Sequence, residues 1–497
     1  MISPTTRRTS LTRLLRPLLP SFVADELLPS KPTATSAEKR TPRLHPTSYL
    51  DGMRGIAAII VFICHYTENN FSALTPSYGL NPHGNRSSPL QLPLLRLVFS
   101  GRPMVHIFFV ISGFALSYKP LGHLRAGNTE GCYAALASSA FRRPFRLFGP
   151  CVVSTALIAV MRQLGWLTTA PVWTKETWGD EFAKWRWAVL HQIAWPWAWD
   201  RDLRPAYDVH LWTIPIEFAH SMLLFMVILG LARVRKGVRR VAVLGLMGYC
   251  LVCGKWAGFE FLGGMLLAEG HVAKMARTKG WEGGAYGAGE EGEPNWVLRA
   301  VQILLVVLGL FIAGWPNEDA AKTPGIKHLL AWTPSPFADM DHLAPQKFWF
   351  GLSALATVWA VGDLECLRET FESPLAQYCG RISYAVYICH GPVEELSRGW
   401  LIGNAFTPAY GEPGALDYEP AMPARGVKGI IGVKTVTQVT LGWFAGLCLF
   451  APLVIWAADV FSRLVDNRIV SLARRLEMVC LDDAELSPSS QRYSTAA

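Results

Sequence analysis

Arg54 and His65 stand eleven positions apart within the otherwise apolar run MRGIAAIIVFICHY (53–66). A helix advances about 100° and 1.5 Å per residue, so eleven steps make three turns plus roughly 20°. The two side chains therefore share one face, about 16 Å apart along the axis. A histidine titrates near neutral pH and suits general-base work; a guanidinium suits a phosphate or carboxylate. The plainer alternative is a histidine bonded to a nearby carbonyl and an arginine snorkelling to lipid headgroups. Sharing one face weighs against it.

Three more polar interruptions follow. LWTIPIEFAHSM (211–222) places Glu217 in the first turns of an apolar stretch, flanked by Trp212 and His220. Its carboxylate can be a counter-ion to a distant Arg or His, or can orient His65 as carboxylates do beside catalytic histidines; His220 reads as structural. In VHIFFVISGFALSY (105–118) the Ser112-Gly113 pair suits close helix packing. Ser112 as a nucleophile lacks the G-x-S-x-G elbow. CGRISYAVYICHGPV (379–393) spaces Arg381, Tyr384, Tyr387 and His390 by threes, an inclined polar stripe on one helix. Cys250 and Cys253 form a C-x-x-C inside an apolar stretch without partner ligands, so no metal site is expected.

These residues need a membrane-embedded scaffold. The 497-residue chain is 51% hydrophobic and only 17% charged, with 19 tryptophans, against about 25% charge in a soluble protein. About ten stretches are long and apolar enough to span a bilayer, near 50–68, 103–119, 146–164, 211–232, 238–256, 257–273, 296–315, 348–366, 381–401 and 436–461. The expected fold is all-α, a polytopic membrane bundle with both termini cytoplasmic. Basic clusters fix that orientation by the positive-inside rule: the N-terminal region, 141–148, 233–240, and Arg463, Arg468, Arg474 and Arg475. The same clustering accounts for the net charge of +9 better than nucleic-acid binding does. LLRPLLPSFV is too short and proline-broken for a signal peptide.

Three regions follow: a disordered basic cytoplasmic tail (1–48), a transmembrane domain (49–465) and a C-terminal cytoplasmic tail (466–497). Sequons at Asn70 and Asn85 fall in the expected outer loop, Asn85 the better placed for glycosylation. The tryptophan-rich loop at 165–210 suits an interfacial aromatic belt or a lid over a cavity. No cysteine lies in an expected outer loop, which disfavours a disulfide framework. The absence of an evident internal repeat weakly disfavours repeat-built transporters.

Taken in order over 49–460, the blocks YLDGMRGIAAIIVFICHY, HIFFVISGFALS, FRRPFRLFGP, LWTIPIEF, FEFLGGMLLAEG and GRISYAVYICHGPV resemble the membrane acyltransferase-3 family. Its signature is an arginine and a histidine separated by ten residues. The resemblance implies a ten-helix enzyme that moves an acyl group, often acetyl, from cytosolic acyl-CoA to an acceptor hydroxyl. By matched position it implies Arg54 and His65 as the essential pair and Glu217 as the motif carboxylate. Arg142, Arg143 and Arg146 fall in its basic stretch. Such arginines can grip the phosphates of coenzyme A, though they also serve topology alone. Ser112, Trp212, Tyr384 and His390 are expected to line the substrate. His106 departs from the acidic residue that many members carry before the paired phenylalanines.

Acyl-CoA, acetyl-CoA first, is the expected co-substrate, with no metal. The acceptor is expected to be a small metabolite, a lipid or a sugar. The sequons, the long basic N-terminus and the absence of a fused domain fit a fungal-type, standalone member in the endoplasmic reticulum or plasma membrane. A proton-coupled transporter would bury the same His, Arg and Glu residues and is the alternative from another class, ahead of a non-catalytic receptor.

Overall fold

The computed structural model describes residues 19–21, 44–80, 87–167, 177–278, 296–403 and 426–481, and every regular element among them is helical. In chain order these are α1 (Ser48–Asn70), α2 (Gly101–Arg125), α3 (Thr129–Gln163), α4 (Trp178–Ala188), α5 (Thr213–Gly230), α6 (Lys236–Val252), α7 (Trp256–Thr278) and α8 (Trp296–Ala313). There follow α9 (Ile326–Ala331), α10 (Ala344–Asp363), α11 (Glu365–Glu372), α12 (Pro374–Leu401), α13 (Gly426–Ile431), α14 (Val436–Phe461) and α15 (Asn467–Cys480).

All ten apolar stretches fall on helices, but among the described residues six helices are long and apolar enough to cross a membrane. A seventh span arises if α10 and α11, bent by 92° at their junction, count as one. The shortfall from ten has a physical cause. α6 has 17 residues, α7 carries Glu260, Glu269, His271 and Lys274, and α12 carries Arg381, His390, Glu394, Glu395 and Arg398. α6 falls short in length and α7 and α12 in apolarity, whereas α1, α3 and α5 carry Arg54, His65, Arg143 and Glu217 and remain apolar enough.

Within a bilayer the lipid tails are as apolar as leucine, so helices associate through close packing rather than escape from water. Two crossings show this. Where α2 meets α7, a Cβ on Gly113 would overlap the Phe261 carbonyl, and one on Gly264 would overlap the Val110 carbonyl oxygen. Where α1 meets α12, a Cβ on Gly55 would overlap the Gly380 amide, and one on Gly380 the Asp51 carbonyl. Aromatic rings fill the spaces beside these contacts. Phe109 stacks on Trp256 at 5.2 Å, and Tyr66 stacks on Phe450 at 5.7 Å while donating to the Trp443 carbonyl at 3.0 Å.

The first 48 residues are not wholly detached from the bundle. The Ser21 amide and hydroxyl both donate to the Asp459 carboxylate on α14 at 2.8 Å. The tryptophan-rich loop contains the unforeseen α4, started by a capping box between Thr177 and Asp180. Trp166, Trp187 and Trp197 stand exposed there, as an interfacial belt requires.

Candidate active site

Three histidines from three elements meet. His65 lies in the fourth turn or later of α1, His390 on α12, and His210 in a short 3-10 turn (Val209–Trp212) leading into α5. Asp208 caps that turn by accepting from the His210 amide at 3.0 Å, which aims the ring back toward α1. Ring centroids are 4.4 Å apart for His65–His210, 4.5 Å for His210–His390 and 5.3 Å for His65–His390.

Every ring faces an acceptor at Nδ1. His65 Nδ1 lies 3.4 Å from Glu68, His210 Nδ1 2.8 Å from Asp208 and His390 Nδ1 3.1 Å from the Val386 carbonyl. Glu68 is held in turn by Asn317 at 2.5 Å and by Arg102 at 4.0 Å. Burial pushes the Asp208 carboxyl up to about 6, opposed first by the charge of His390. Gly391 allows the approach: a Cβ there would sit 2.7 Å from His210 Nδ1.

The stripe on α12 works as a ladder. Ser383 accepts from Arg54 Nε at 3.1 Å, and Gly380 accepts from the same guanidinium at 3.4 Å. Next, the Tyr384 hydroxyl donates to the Leu147 carbonyl at 2.5 Å and meets Cys151. The Tyr387 hydroxyl donates to the His210 carbonyl and lies 2.7 Å from Thr213. His390 follows, then Glu394, which binds Asn69, Asn70 and Arg398. Arg381, first in the spacing, points outward and lies over the Tyr378 ring.

Arg54 also pairs with Asp51 at 3.1 Å. Four arginines, Arg54, Arg142, Arg143 and Arg146, gather at its end of the bundle, with Asp466 among the charges acting on Arg146. Arg146 is exposed. The other two arginines are engaged, Arg142 with Glu477 at 3.1 Å and Arg143 with Glu217 at 2.7 Å.

Of the two roles offered for Glu217, the geometry matches the counter-ion to a distant arginine rather than the carboxylate that orients His65. Its carboxylate accepts from Arg143 and from the Ser112 hydroxyl at 3.0 Å, and Glu68 is the carboxylate beside His65. Ser112 is thereby a donor to Glu217. Trp212 packs half-buried against the core, and His220 Nδ1 donates to the Ile216 carbonyl at 2.9 Å as a structural histidine would. His106 meets Glu260 of α7 at 2.5 Å, both side chains enclosed. That supplies the acidic charge partner missing beside it in sequence.

Of the two sequons, Asn70 is buried, its amide donating to Tyr66 and Glu394. Asn85 lies outside the described residues. The sequence reasoning missed His210, Asp208 and Glu68. The available signals were a carboxylate three residues beyond His65 and the Asp-x-His immediately before LWT.

Helices long and apolar enough to cross a membrane enclose a polar interior, with arginines gathered at one end. The chain belongs to the acyltransferase-3 family, whose Acyltransferase domain matches residues 47–462. Over 410 residues it is 31% identical to the O-acetyltransferase PaAT-1 of Phomopsis amygdali, covering 76% of this chain and 78% of that protein. It is 26% identical over 397 residues to the acyltransferase R4 of a Phoma species, covering 69% and 82%. The acyltransferase clz18 of Cochliobolus lunatus is also 26% identical, covering 71% and 84%. No solved structure matches.

Proposed function

We propose that this acyltransferase takes an acyl group, acetyl first, from acyl-CoA on the cytoplasmic side and esterifies a hydroxyl of a small metabolite or lipid in the membrane. The observation that carries this is the α12 ladder, which joins the arginine-rich mouth to the histidine cluster. Coenzyme A is polyanionic at one end and carries its thioester on a long arm. Arg54 and Arg146, with Arg142 and Arg143 behind them, offer charge-assisted bonds to its phosphates. The arm then extends along the ladder, and the roughly 16 Å from Arg54 to His65 matches its scale.

At the cluster the acceptor hydroxyl loses its proton to His65, which Glu68 holds from behind. The oxygen attacks the thioester carbonyl, the C–O bond forms and the C–S bond breaks. The coenzyme thiolate takes up the proton. Holding both substrates side by side removes much of the entropic barrier. Ser112, Trp212 and Tyr384 line the space between mouth and cluster in this scheme. That the Phomopsis relative is named an O-acetyltransferase supports acetyl as the group moved.

The test is untargeted mass spectrometry of a deletion strain of the source organism. It is complemented with wild type, His65→Ala or Arg54→Ala, each checked for membrane expression. One compound should lose an acyl mass on deletion and regain it only with wild type. Full rescue by His65→Ala would remove the histidine's role. Compounds that change only their location would replace the enzyme by a proton-coupled transporter.

A further inference from the structure

The histidine cluster raises an electrostatic question that proton transfer alone does not answer. All three Nδ1 atoms face an acceptor: Glu68, Asp208 and the Val386 carbonyl. In that tautomer each Nδ1 carries the hydrogen, and each Nε2 is left with a bare lone pair. One ligand nitrogen from each ring lies within 4.8 Å of the others. His390 Nε2 is buried with no hydrogen-bond partner. Lone pairs held this close, with the His390 ring enclosed and those of His65 and His210 partly so, repel one another unless something positive sits between them. An acceptor hydroxyl brings one hydrogen and satisfies one nitrogen; a cation satisfies all three.

We propose that His65, His210 and His390 bind a divalent transition-metal ion, Zn²⁺ by its chemistry, through their Nε2 atoms. Three neutral imidazoles with a fourth position open are a catalytic rather than a closed structural ligand set. Metal-bound histidines characteristically donate the second ring N–H to a carboxylate or backbone carbonyl, which fixes the tautomer and raises ligand basicity. All three rings here are held that way. Zn–N bonds of about 2.0–2.1 Å in tetrahedral array would draw the nitrogens to roughly 3.3 Å apart, a closure that ring rotation supplies. Each ligand comes from a different element, so the ion would also tie α1, the 3-10 turn and α12 together. No metal-ligand spacing shows along the chain because the ligands are spread over residues 65, 210 and 390.

The inference rests on the acyl-transfer proposal for its use, and changes one role in it. With the ion present, His65 is a ligand and no longer the base; the ion would polarise the acceptor hydroxyl in the open position, and that hydroxyl's proton would pass to the departing coenzyme thiolate.

The experiment uses the full chain purified in detergent without affinity metals. Metal content is read by mass spectrometry, and the stripped protein is titrated with Co²⁺, whose visible bands report tetrahedral nitrogen ligation. Wild type should hold about one ion per chain. His210→Ala and His390→Ala should each lose it, and Asp208→Asn should weaken it about 10–100-fold. His328→Ala, on the surface, should keep it. Folding of each variant is checked by size exclusion and thermal melting. Stripped wild type that gives no tetrahedral Co²⁺ bands would overturn the site, as would equal binding by the His65/His210/His390 triple alanine variant. Loss of the ion with coenzyme A release unchanged would overturn its catalytic use and leave the acyl-transfer proposal standing. Intact Co²⁺ bands without acylation under any condition would leave the site and remove the proposed function.

Discussion

A carboxylate 2.7 Å from an arginine can matter for stability, for chemistry, or for both. Glu217 and Arg143 are such a pair, each side chain less than one-fifth exposed. Removing one member leaves the other as a buried uncompensated charge, which costs about 3–5 kcal/mol, whereas removing both costs much less. Glu217→Ala should therefore lower the melting temperature in detergent sharply, and Arg143→Ala likewise. The double variant should recover much of the loss if Glu217 is a structural partner only. Its activity should nevertheless stay low if Arg143 also holds the coenzyme phosphates. A double variant with full turnover would confine the pair to structure. At this scale the sequence was informative about residue type and poor about partners. It placed Glu217 inside the bundle, but the Arg143 contact arises where α3 lies against α5, and no periodicity within either segment reports that.

At the scale of elements, α12 determines how the site is assembled. Its crossing with α1 depends on Gly55 and Gly380, and the same crossing sets Arg54 against Ser383. Gly55→Ala or Gly380→Ala must separate the helices, at about 1–3 kcal/mol of overpacking strain. Each should lower both thermal stability and acyl transfer. Gly122→Ala, where a Cβ meets nothing within 4 Å, is the control and should be tolerated. Equal behaviour of all three would show that the crossing does not set the site. The helix character of α1 and the inward stripe of α12 were legible because both follow the helical repeat. His210 was not, since it sits in a 3-10 turn beyond any amphipathic pattern. The short helix α4 was hidden for a similar reason, its tryptophans being mixed with charges.

For the whole molecule, orientation is the open physical variable. Positive-inside charge puts the α6–α7 turn on the outer side and α15 on the cytoplasmic side. Cys253 ends α6 and Cys480 ends α15, and both are exposed thiols. In single-cysteine variants, an impermeant maleimide applied to intact cells should label Cys253 directly and Cys480 only after permeabilisation. The reverse pattern would invert the bundle and put the coenzyme mouth on the wrong side. Membrane character was plain from composition, whereas the number of spans was not. The side chains that make the interior useful also lower the hydropathy by which a span is recognised.

The Arg54–Ser383 bond joins residues 329 positions apart, and that separation has a consequence for biogenesis. When α1 leaves the ribosome its arginine and histidine have only Asp51 and Glu68 of their own helix as partners, and none can come from α12 until most of the chain has been made. Throughout that interval the first helix is a poor tenant of lipid. Its retention must depend on the early neighbour α2, whose Arg102 already lies within 4.0 Å of Glu68. Synthesis order thus makes the α1–α2 hairpin the first unit able to shelter the future reaction centre, and α12 the element that completes it.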